Sequence, residues 1–150
     1  MNVIFLDFNG VLDTWQNMDV INEENLQRLK FIVDETAAKI VISSSLKNSY
    51  YYTGHFSKHL QNIIKEIENI GIEVIGITPN AESREEEIRL YLDEHPEIDN
   101  FCILDDDYEM DQFRDNLVKL PPQLQKGQKG LEEVYMYRAI EILNKNKITR

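Results

Sequence analysis

Hydrophobic residues fall along the chain in two alternating patterns. Short runs that are apolar at nearly every position are typical of buried strands, whereas apolar residues three or four positions apart indicate one face of a helix. The predicted strands are 2–7, 39–43, 73–77, 101–104 and 117–120, and the predicted helices are 22–35, 56–70, 84–94 and 131–143. Such alternation predicts an α/β fold, a Rossmann-like three-layer sandwich around a mostly parallel sheet.

Residues suited to helix ends support these boundaries. Asn22 is a suitable N-cap for the first helix, and Ser83 with Glu86 has the spacing of a capping box ahead of the third. Gly71 is expected to end the second helix. In the last helix, the residues expected to face the core are Val134, Ala139, Ile142 and Leu143.

Polar side chains follow four of the predicted strands. In chain order they are Asp7, the serines Ser43, Ser44 and Ser45, Thr78, and the acids Asp105, Asp106 and Asp107. Parallel strands end at the same edge of a sheet, which is where open α/β folds bind their ligands. We therefore expect these side chains to converge on one site.

Composition narrows the possible classes of protein. The 150 residues are expected to form a single domain, 1–150, and one cysteine, Cys102, rules out an internal disulfide. The net charge of −11 argues against broad nonspecific attraction to nucleic acid or to anionic membranes. With neither an apolar run long enough to span a bilayer nor a basic leader, we expect a cytoplasmic protein that does not bind membranes.

The acids at the predicted sheet edge suggest metal and phosphoryl chemistry. Asp7, at the end of a buried strand, is a candidate nucleophile or metal ligand, although an aspartate can also simply end a strand. Three adjacent acids at 105–107 repel one another, and Mg²⁺ would relieve that repulsion. The alternative is a solvated acidic turn.

Hydroxyl and cationic groups at the same edge could hold phosphate oxygens. The serines 43–45 offer hydroxyl and backbone N–H groups, although serine is also common in turns. Arg84 opens a capped helix and could neutralise an anion there, although most arginines at such positions are merely exposed. Lys47 could add phosphate affinity, but a solvated lysine is the more ordinary expectation. The tyrosines of the expected loop 47–55 could stack on bases, or they could pack against the domain or a partner.

The pattern of these residues resembles the haloacid dehalogenase (HAD) superfamily of phosphotransferases. Residues 7–11, Asp-Phe-Asn-Gly-Val, resemble its first motif, Asp-x-Asp-Gly-Val/Thr. The second motif, a Ser or Thr ending strand two, is matched by Ser44, with Ser43 as second choice. Arg84 matches the third motif and Asp105-Asp106 the fourth, in the right order along the chain. More narrowly, the chain resembles the small HAD domains of RNA-repair proteins and the 3′-phosphatase modules of polynucleotide kinases.

This resemblance implies a mechanism and a set of ligands. Asp7 would attack phosphorus and form an aspartyl-phosphate, while Ser44 and Arg84 would hold phosphoryl oxygens. Mg²⁺ would be bound by Asp7, the backbone carbonyl of Asn9 and an acid of the 105–106 pair. Residues between the motifs leave no room for a cap domain, and an open site in this family usually accompanies macromolecular substrates or oligomers that supply the lid. A nucleic-acid 3′-phosphate is the favoured substrate, and a small phosphorylated metabolite is the second.

Asn9 departs from the family pattern. The family usually has an aspartate there, which protonates the leaving group and then activates water. An amide cannot exchange a proton near neutral pH, so turnover should fall by about 10²–10⁴-fold. Three origins fit: an engineered Asp→Asn change, which we favour because the rest of the site looks intact, a natural non-catalytic protein, or a slow enzyme with a persistent phosphoenzyme. The alternative function is therefore an inactive HAD-scaffold protein of the binding or immunity type.

Overall fold

Five parallel strands form the centre of the protein. The computed structural model describes residues 1–106 and 109–145, apart from the side chains of residues 49, 51 and 52. The strands are β1 (Asn2–Leu6), β2 (Lys39–Ile42), β3 (Val74–Ile77), β4 (Asn100–Asp105) and β5 (Leu117–Lys119). They lie side by side in the order β3-β2-β1-β4-β5, and every neighbouring pair is parallel. The predicted Rossmann-like α/β fold is confirmed, with all of these strands parallel.

Helices connect the strands close to the predicted positions. They are α1 (Glu23–Thr36), α2 (Asn48–Thr53), α3 (Lys58–Asn69), α4 (Arg84–Glu94) and α5 (Glu133–Leu143), with short 3₁₀ helices at Ser45–Lys47 and Asp111–Asn116. Both predicted N-caps are confirmed: the Asn22 side chain accepts the N–H of Asn25 over 3.0 Å, and Ser83 accepts that of Glu86 over 3.1 Å. Within the described parts of the chain, no helix has the length and apolar character needed to cross a membrane.

Two apolar layers cover the sheet. On one face, strand residues such as Ile4 and Ile40 pack against Leu29 of α1, Ile63 of α3 and Ala139 of α5. On the other face, Phe5 and Ile103 pack against Ile88 and Tyr91 of α4 and Phe113 of the second 3₁₀ helix. Since both faces of the sheet are buried, its strands are apolar throughout, which is why the sequence pattern identified them.

The register of the sheet aligns the carboxyl ends of its three central strands. Leu6 of β1 lies opposite Ile42 of β2 and Leu104 of β4. The residue after each of these three, namely Asp7, Ser43 and Asp105, therefore lies at the same edge. Backbone hydrogen bonds continue this alignment, since Asp7 N–H donates to the Leu104 carbonyl over 3.0 Å and Ser43 N–H to the Leu6 carbonyl over 2.8 Å.

Two sequence-based expectations about helices are wrong. Residues 48–53, expected within a loop, form α2, whose polar and aromatic sequence has no apolar stripe to indicate a helix. Val134, expected in the core, is 58% exposed, because the inward face of α5 is set by Met136, Ala139 and Leu143. Asp107, a predicted member of the acidic cluster, lies outside the described residues.

Candidate active site

Three buried carboxylates converge at the carboxyl edge of the sheet. Asp7, Asp105 and Asp106 each place a carboxylate oxygen within 4.8 Å of the other two, and all three side chains are buried. They are the only such group of acids, histidines and cysteines found among the described residues. The sequence predicted this convergence, and the parallel register of β1 and β4 produces it.

Gly10 allows the loop after β1 to close over this cluster. Its φ is +81°, in the region that favours glycine, and a Cβ placed there would lie 2.2 Å from Asp106 Oδ2. Backbone and carboxylate therefore approach each other more closely than any side chain at position 10 would permit.

Arg84 supplies the positive charge nearest to the cluster. Its Nη1 donates to Asp105 Oδ2 over 2.8 Å and to the carbonyl of Ser43, and it lies 3.9 Å from Asp7 Oδ1. Its Nε lies 3.5 Å from Glu87 Oε1, one turn along α4. The guanidinium is thus held at the site by three acids rather than exposed, and it fixes Asp105 in place.

The negative charges of Asp7, Asp105 and Asp106 exceed the positive charge of Arg84. When ionised, the three aspartates carry three negative charges against one positive charge on Arg84, which leaves two negative charges. Burial first, and then the Asp105 carboxylate, raise the pKa of Asp7 well above its ordinary value, and Arg84 only partly opposes this. A divalent cation with oxygen ligands would match the remaining charge, and Mg²⁺ prefers carboxylate oxygens.

Asn9 donates from its side-chain amide to two acids. Its Nδ2 lies 3.0 Å from Asp13 Oδ2 and 2.7 Å from Asp19 Oδ1. Because each acid accepts a proton of the amide, a carboxylate at position 9 could make neither bond as an ionised group.

Asp13 is a structural acid that the sequence reasoning missed. It is fully buried and accepts the N–H groups of Gly10 over 2.7 Å and Asp19 over 2.8 Å, in addition to the Asn9 amide. The signal was an acid directly after the buried pair Val11-Leu12. Through these hydrogen bonds, Asp13 stabilises the conformation of the turn after Asp7.

The three serines do not occupy the positions around the cavity that were predicted for them. Ser44, the favoured phosphate ligand, is buried and its Oγ accepts the Leu46 N–H over 3.2 Å, so it caps the first 3₁₀ helix. Ser43 is also buried, and its Oγ has no hydrogen-bond partner among the described residues. Ser45, which is exposed, is the serine that lines the cavity above Asp7.

Lys47 is buried rather than solvated. Its side chain is 1% exposed, and its Nζ lies 3.0 Å from Glu87 Oε1 and 3.4 Å from Asn80 Oδ1. Burial lowers the pKa of Lys47, and the hydrogen bond to Glu87 opposes that shift. The ordinary expectation of a solvated lysine is wrong, while its role in binding phosphate stays a prediction.

Among the expected tyrosines, Tyr50 packs against Phe56, with ring centroids 4.9 Å apart.

A cavity of about 240 Å³ opens directly over the carboxylates. Its lining residues are Asp7, Asn9, Ser45, Arg84, Asp106, Pro122, Gln123 and Leu124. The last three belong to the β5–α5 loop, residues 120–132, which the sequence reasoning did not connect with the site. Gln123 anchors this loop: its backbone N–H donates to Asp106 Oδ2 over 2.6 Å, and its Nε2 donates to Asp13 Oδ2 over 2.9 Å.

The structure therefore brings together most of the predicted site residues. Asp7, Asn9, Arg84 and Asp106 line one cavity, and Asp105 supports it from below. Ser43, Ser44 and Lys47 lie around it without lining it. The arrangement offers a carboxylate nucleophile, oxygen ligands for a cation and a fixed guanidinium for an anion.

Comparison with known proteins agrees with this geometry. A family model described as the HAD domain in Swiss Army Knife RNA repair proteins matches residues 3–133. Apart from Asn2 of β1, the match spans all five strands, and it includes every residue of the cavity. Neither a curated protein nor a solved structure matches the chain significantly.

Proposed function

The chain belongs to the family of HAD domains in Swiss Army Knife RNA repair proteins, and from that premise we propose that it is a Mg²⁺-dependent phosphomonoesterase acting through Asp7. Membership supports HAD-type phosphatase chemistry at the level of the superfamily. The observation that carries the specific proposal is the buried cluster of Asp7, Asp105 and Asp106 beside Arg84, at the base of an open cavity.

Asp7 is the nucleophile in this proposal. Its Oδ1 accepts the N–H of Phe8 over 2.9 Å, which orients the carboxylate. A carboxylate oxygen attacks phosphorus and forms an aspartyl-phosphate, while the bond from phosphorus to the leaving oxygen breaks. Water then attacks the aspartyl-phosphate, which releases inorganic phosphate and returns Asp7 to its starting form.

Asp7 and Asp106 are the side chains proposed to hold the cation. Both line the cavity, whereas Asp105 lies beneath it with Oδ2 bound to Arg84. The Asn9 backbone carbonyl is the third protein ligand that we propose. When bound, Mg²⁺ would neutralise the charge of the carboxylates and of the phosphoryl oxygens. Arg84 would bind the phosphoryl group from the opposite side, and Ser45 is the hydroxyl best placed to join it.

Asn9 limits the rate of both chemical steps. The leaving oxygen must take its proton from water, and water must attack the aspartyl-phosphate without a side-chain base at position 9. The two hydrogen bonds from Asn9 to Asp13 and Asp19 support a natural amide here over an engineered one. We therefore propose a slow enzyme with a long-lived phosphoenzyme. The same amide also favours the second candidate, a HAD-scaffold protein that binds phosphorylated compounds without turnover.

The substrate we propose is a nucleic-acid 3′-phosphate, with a small phosphorylated metabolite as the alternative. Only residues 78–83 separate β3 from α4, so no cap is inserted there and the cavity stays open to a large substrate. The exposed Leu124 and Pro122 at its edge offer an apolar contact for the organic part of a phosphate ester.

A phosphoenzyme experiment tests this function. The protein is incubated with Mg²⁺ and p-nitrophenyl phosphate, then quenched in acid and digested, and the peptides are weighed by mass spectrometry. We expect one phosphoryl group on Asp7, lost in Asp7→Asn and in samples treated with EDTA. Release of p-nitrophenol without label on Asp7 would overturn the nucleophile. Absence of both label and product would favour the binding protein.

A further inference from the structure

A second cavity lies beside the first and is larger. Its volume is about 560 Å³, against about 240 Å³ for the cavity over Asp7. The residues that line it are Thr14, Trp15, Gln16, Asn17, Asn22, Glu24, Asn25, Arg28, Lys126, Gly127, Gln128, Lys129 and Glu132. It therefore combines an aromatic ring, several amide groups and three cationic side chains.

Two of these cations are free to meet a ligand. The side chains of Lys126 and Lys129 are exposed, and no ion pair of the described residues includes either of them. Arg28, in contrast, is held by the Asn25 side chain and lies 3.5 Å from Glu24, whose charge it offsets. Only Glu132 opposes the two lysines at the cavity wall. In a chain of net charge −11, this is a local reversal of sign.

The same two loops line both cavities. The β1–α1 loop, residues 7–22, contributes Asp7 to the first cavity and Trp15 to the second, and the β5–α5 loop contributes Gln123 and Lys126 in the same way. Three residues along the chain span at most about 11 Å, so Gln123 and Lys126 are near neighbours. The cavities therefore follow one another along the seam between these loops.

Gln128 joins the two loops at this seam. Its Nε2 donates to the Gly10 carbonyl over 2.5 Å and to the Pro121 carbonyl over 3.1 Å. The backbone carbonyl of Gln128 accepts the Trp15 N–H over 2.9 Å. A ligand in the second cavity would thus contact elements directly bonded to the turn that carries Asp7.

We propose that the second cavity binds the nucleotides adjoining the phosphorylated end of a single-stranded nucleic acid. This rests on the proposed function and deepens it. Trp15 provides a face on which a base can stack, the amides can bond base edges, and Lys126 and Lys129 contact backbone phosphates. The terminal phosphate lies over Asp7, and the chain of nucleotides leaves along the seam.

Substrate length tests this proposal. Steady-state kinetics compare p-nitrophenyl phosphate with a short single-stranded ribo-oligonucleotide bearing a 3′-phosphate. In the double variant Lys126→Gln/Lys129→Gln, we expect KM for the oligonucleotide to rise at least about fivefold, and KM for p-nitrophenyl phosphate to stay unchanged. The slope of log KM against log salt should fall by up to about 1.4 for two lost phosphate contacts on a single strand. Lys65→Gln, an exposed lysine on α3 outside both cavities, is the matched control.

Trp15→Leu gives an independent arm of the same test. Loss of one base stack is expected to raise KM for the oligonucleotide by about five- to a hundredfold. Thermal unfolding tests whether Trp15→Leu folds. If it does not fold, the KM values of the lysine double variant test the second cavity instead. Equal effects on both substrates, or none on the oligonucleotide, would overturn the second cavity as a binding site.

Binding separates this inference from the proposed function. Fluorescence anisotropy of a 5′-labelled 3′-phosphate oligonucleotide is measured with the Asp7→Asn protein. One outcome is that the oligonucleotide binds, that the lysine changes weaken this binding, and that the parent protein hydrolyses no substrate. This outcome would support the second cavity and refute the phosphatase. Hydrolysis of p-nitrophenyl phosphate with oligonucleotide binding that ignores Lys126 and Lys129 would do the reverse.

Discussion

The side-chain amide of Asn9 donates a hydrogen bond to Asp19 over 2.7 Å, at the position where related phosphatases use an acid. The same nitrogen reaches the buried Asp13 over 3.0 Å, so both of its protons are used. Residue 9 therefore has a structural role in the turn that follows Asp7. The amide stabilises the turn after Asp7 and, with no proton that dissociates near neutral pH, offers neither an acid nor a base at position 9.

Restoring the acid should accelerate turnover. In Asn9→Asp, a carboxyl group becomes available for proton transfer, so kcat for p-nitrophenyl phosphate should rise at least about tenfold. The label on Asp7 in the steady state should fall at the same time, because hydrolysis of the phosphoenzyme is the step that gains a base. Rapid-quench measurement of both quantities checks this.

Asp19→Asn supplies the control for that change. Alone it should leave kcat nearly unaltered, since the side chain is exposed and does not line the cavity. Combined with Asn9→Asp it removes one of the two charges facing the new carboxylate, so the gain should be at least as large as in the single variant. No gain in either background would mean that an acid at position 9 does not assist turnover at this site.

Arg84 should be essential to stability in the absence of metal. Arg84→Gln leaves Asp7, Asp105 and Glu87 without the guanidinium that faces them, and removing one partner of a buried ion pair typically costs about 3–5 kcal/mol. Urea unfolding in EDTA measures this loss. Added Mg²⁺ should raise the free energy of unfolding by more in the variant than in the parent protein, because it replaces the missing charge. A variant as stable as the parent in EDTA would contradict the charge balance.

The pH dependence of stability should report the burial of Asp7. Its pKa is raised in the folded state, so the folded protein keeps a proton that the unfolded chain loses above about pH 4. The contribution of this group is therefore complete below about pH 4 and is lost as pH rises through the folded pKa. In EDTA, the stability difference between Asp7→Asn and the parent should grow in favour of the variant over this range. A difference that is constant with pH would contradict the raised pKa.

Lys47 and Glu87 should be coupled in stability. Each single change, Lys47→Met or Glu87→Gln, leaves a buried partner less well paired, and Lys47→Met should cost about 3–5 kcal/mol. The double variant should cost less than the sum of the two single changes, which urea unfolding of all four proteins measures. KM for p-nitrophenyl phosphate then tests the predicted phosphate contact. A KM that is higher in the double variant than in Glu87→Gln supports the contact, and equal KM values limit Lys47 to a structural role.

Strand ends were predictable because one physical rule governs them. A run such as Val3-Ile4-Phe5-Leu6 has to be buried, and a charge directly after it has to lie at the sheet edge. The positions of Asp7, Asp105 and Arg84 followed from that rule and from the Ser83 cap. Family resemblance then supplied the chemistry that the pattern alone left open.

Loop contributions were not predictable by the same reasoning. Gln123 acts through its backbone N–H and a contact 110 residues away at Asp13, and no local pattern encodes such a pair. Lys47 is buried because Glu87 lies on another element, which a residue-by-residue expectation of exposure misses. Ser45 rather than Ser44 lines the cavity because the chain turns into a 3₁₀ helix at that point.

The most direct measurement is a crystal structure of the protein soaked with Mg²⁺ and beryllium fluoride, a mimic of the phosphoryl group. We expect fluoroberyllate bonded to the Asp7 carboxylate, Mg²⁺ bound to Asp7 and Asp106, and Arg84 beside the fluorine atoms. A metal bound elsewhere, or fluoroberyllate absent from Asp7 at saturating concentration, would contradict it.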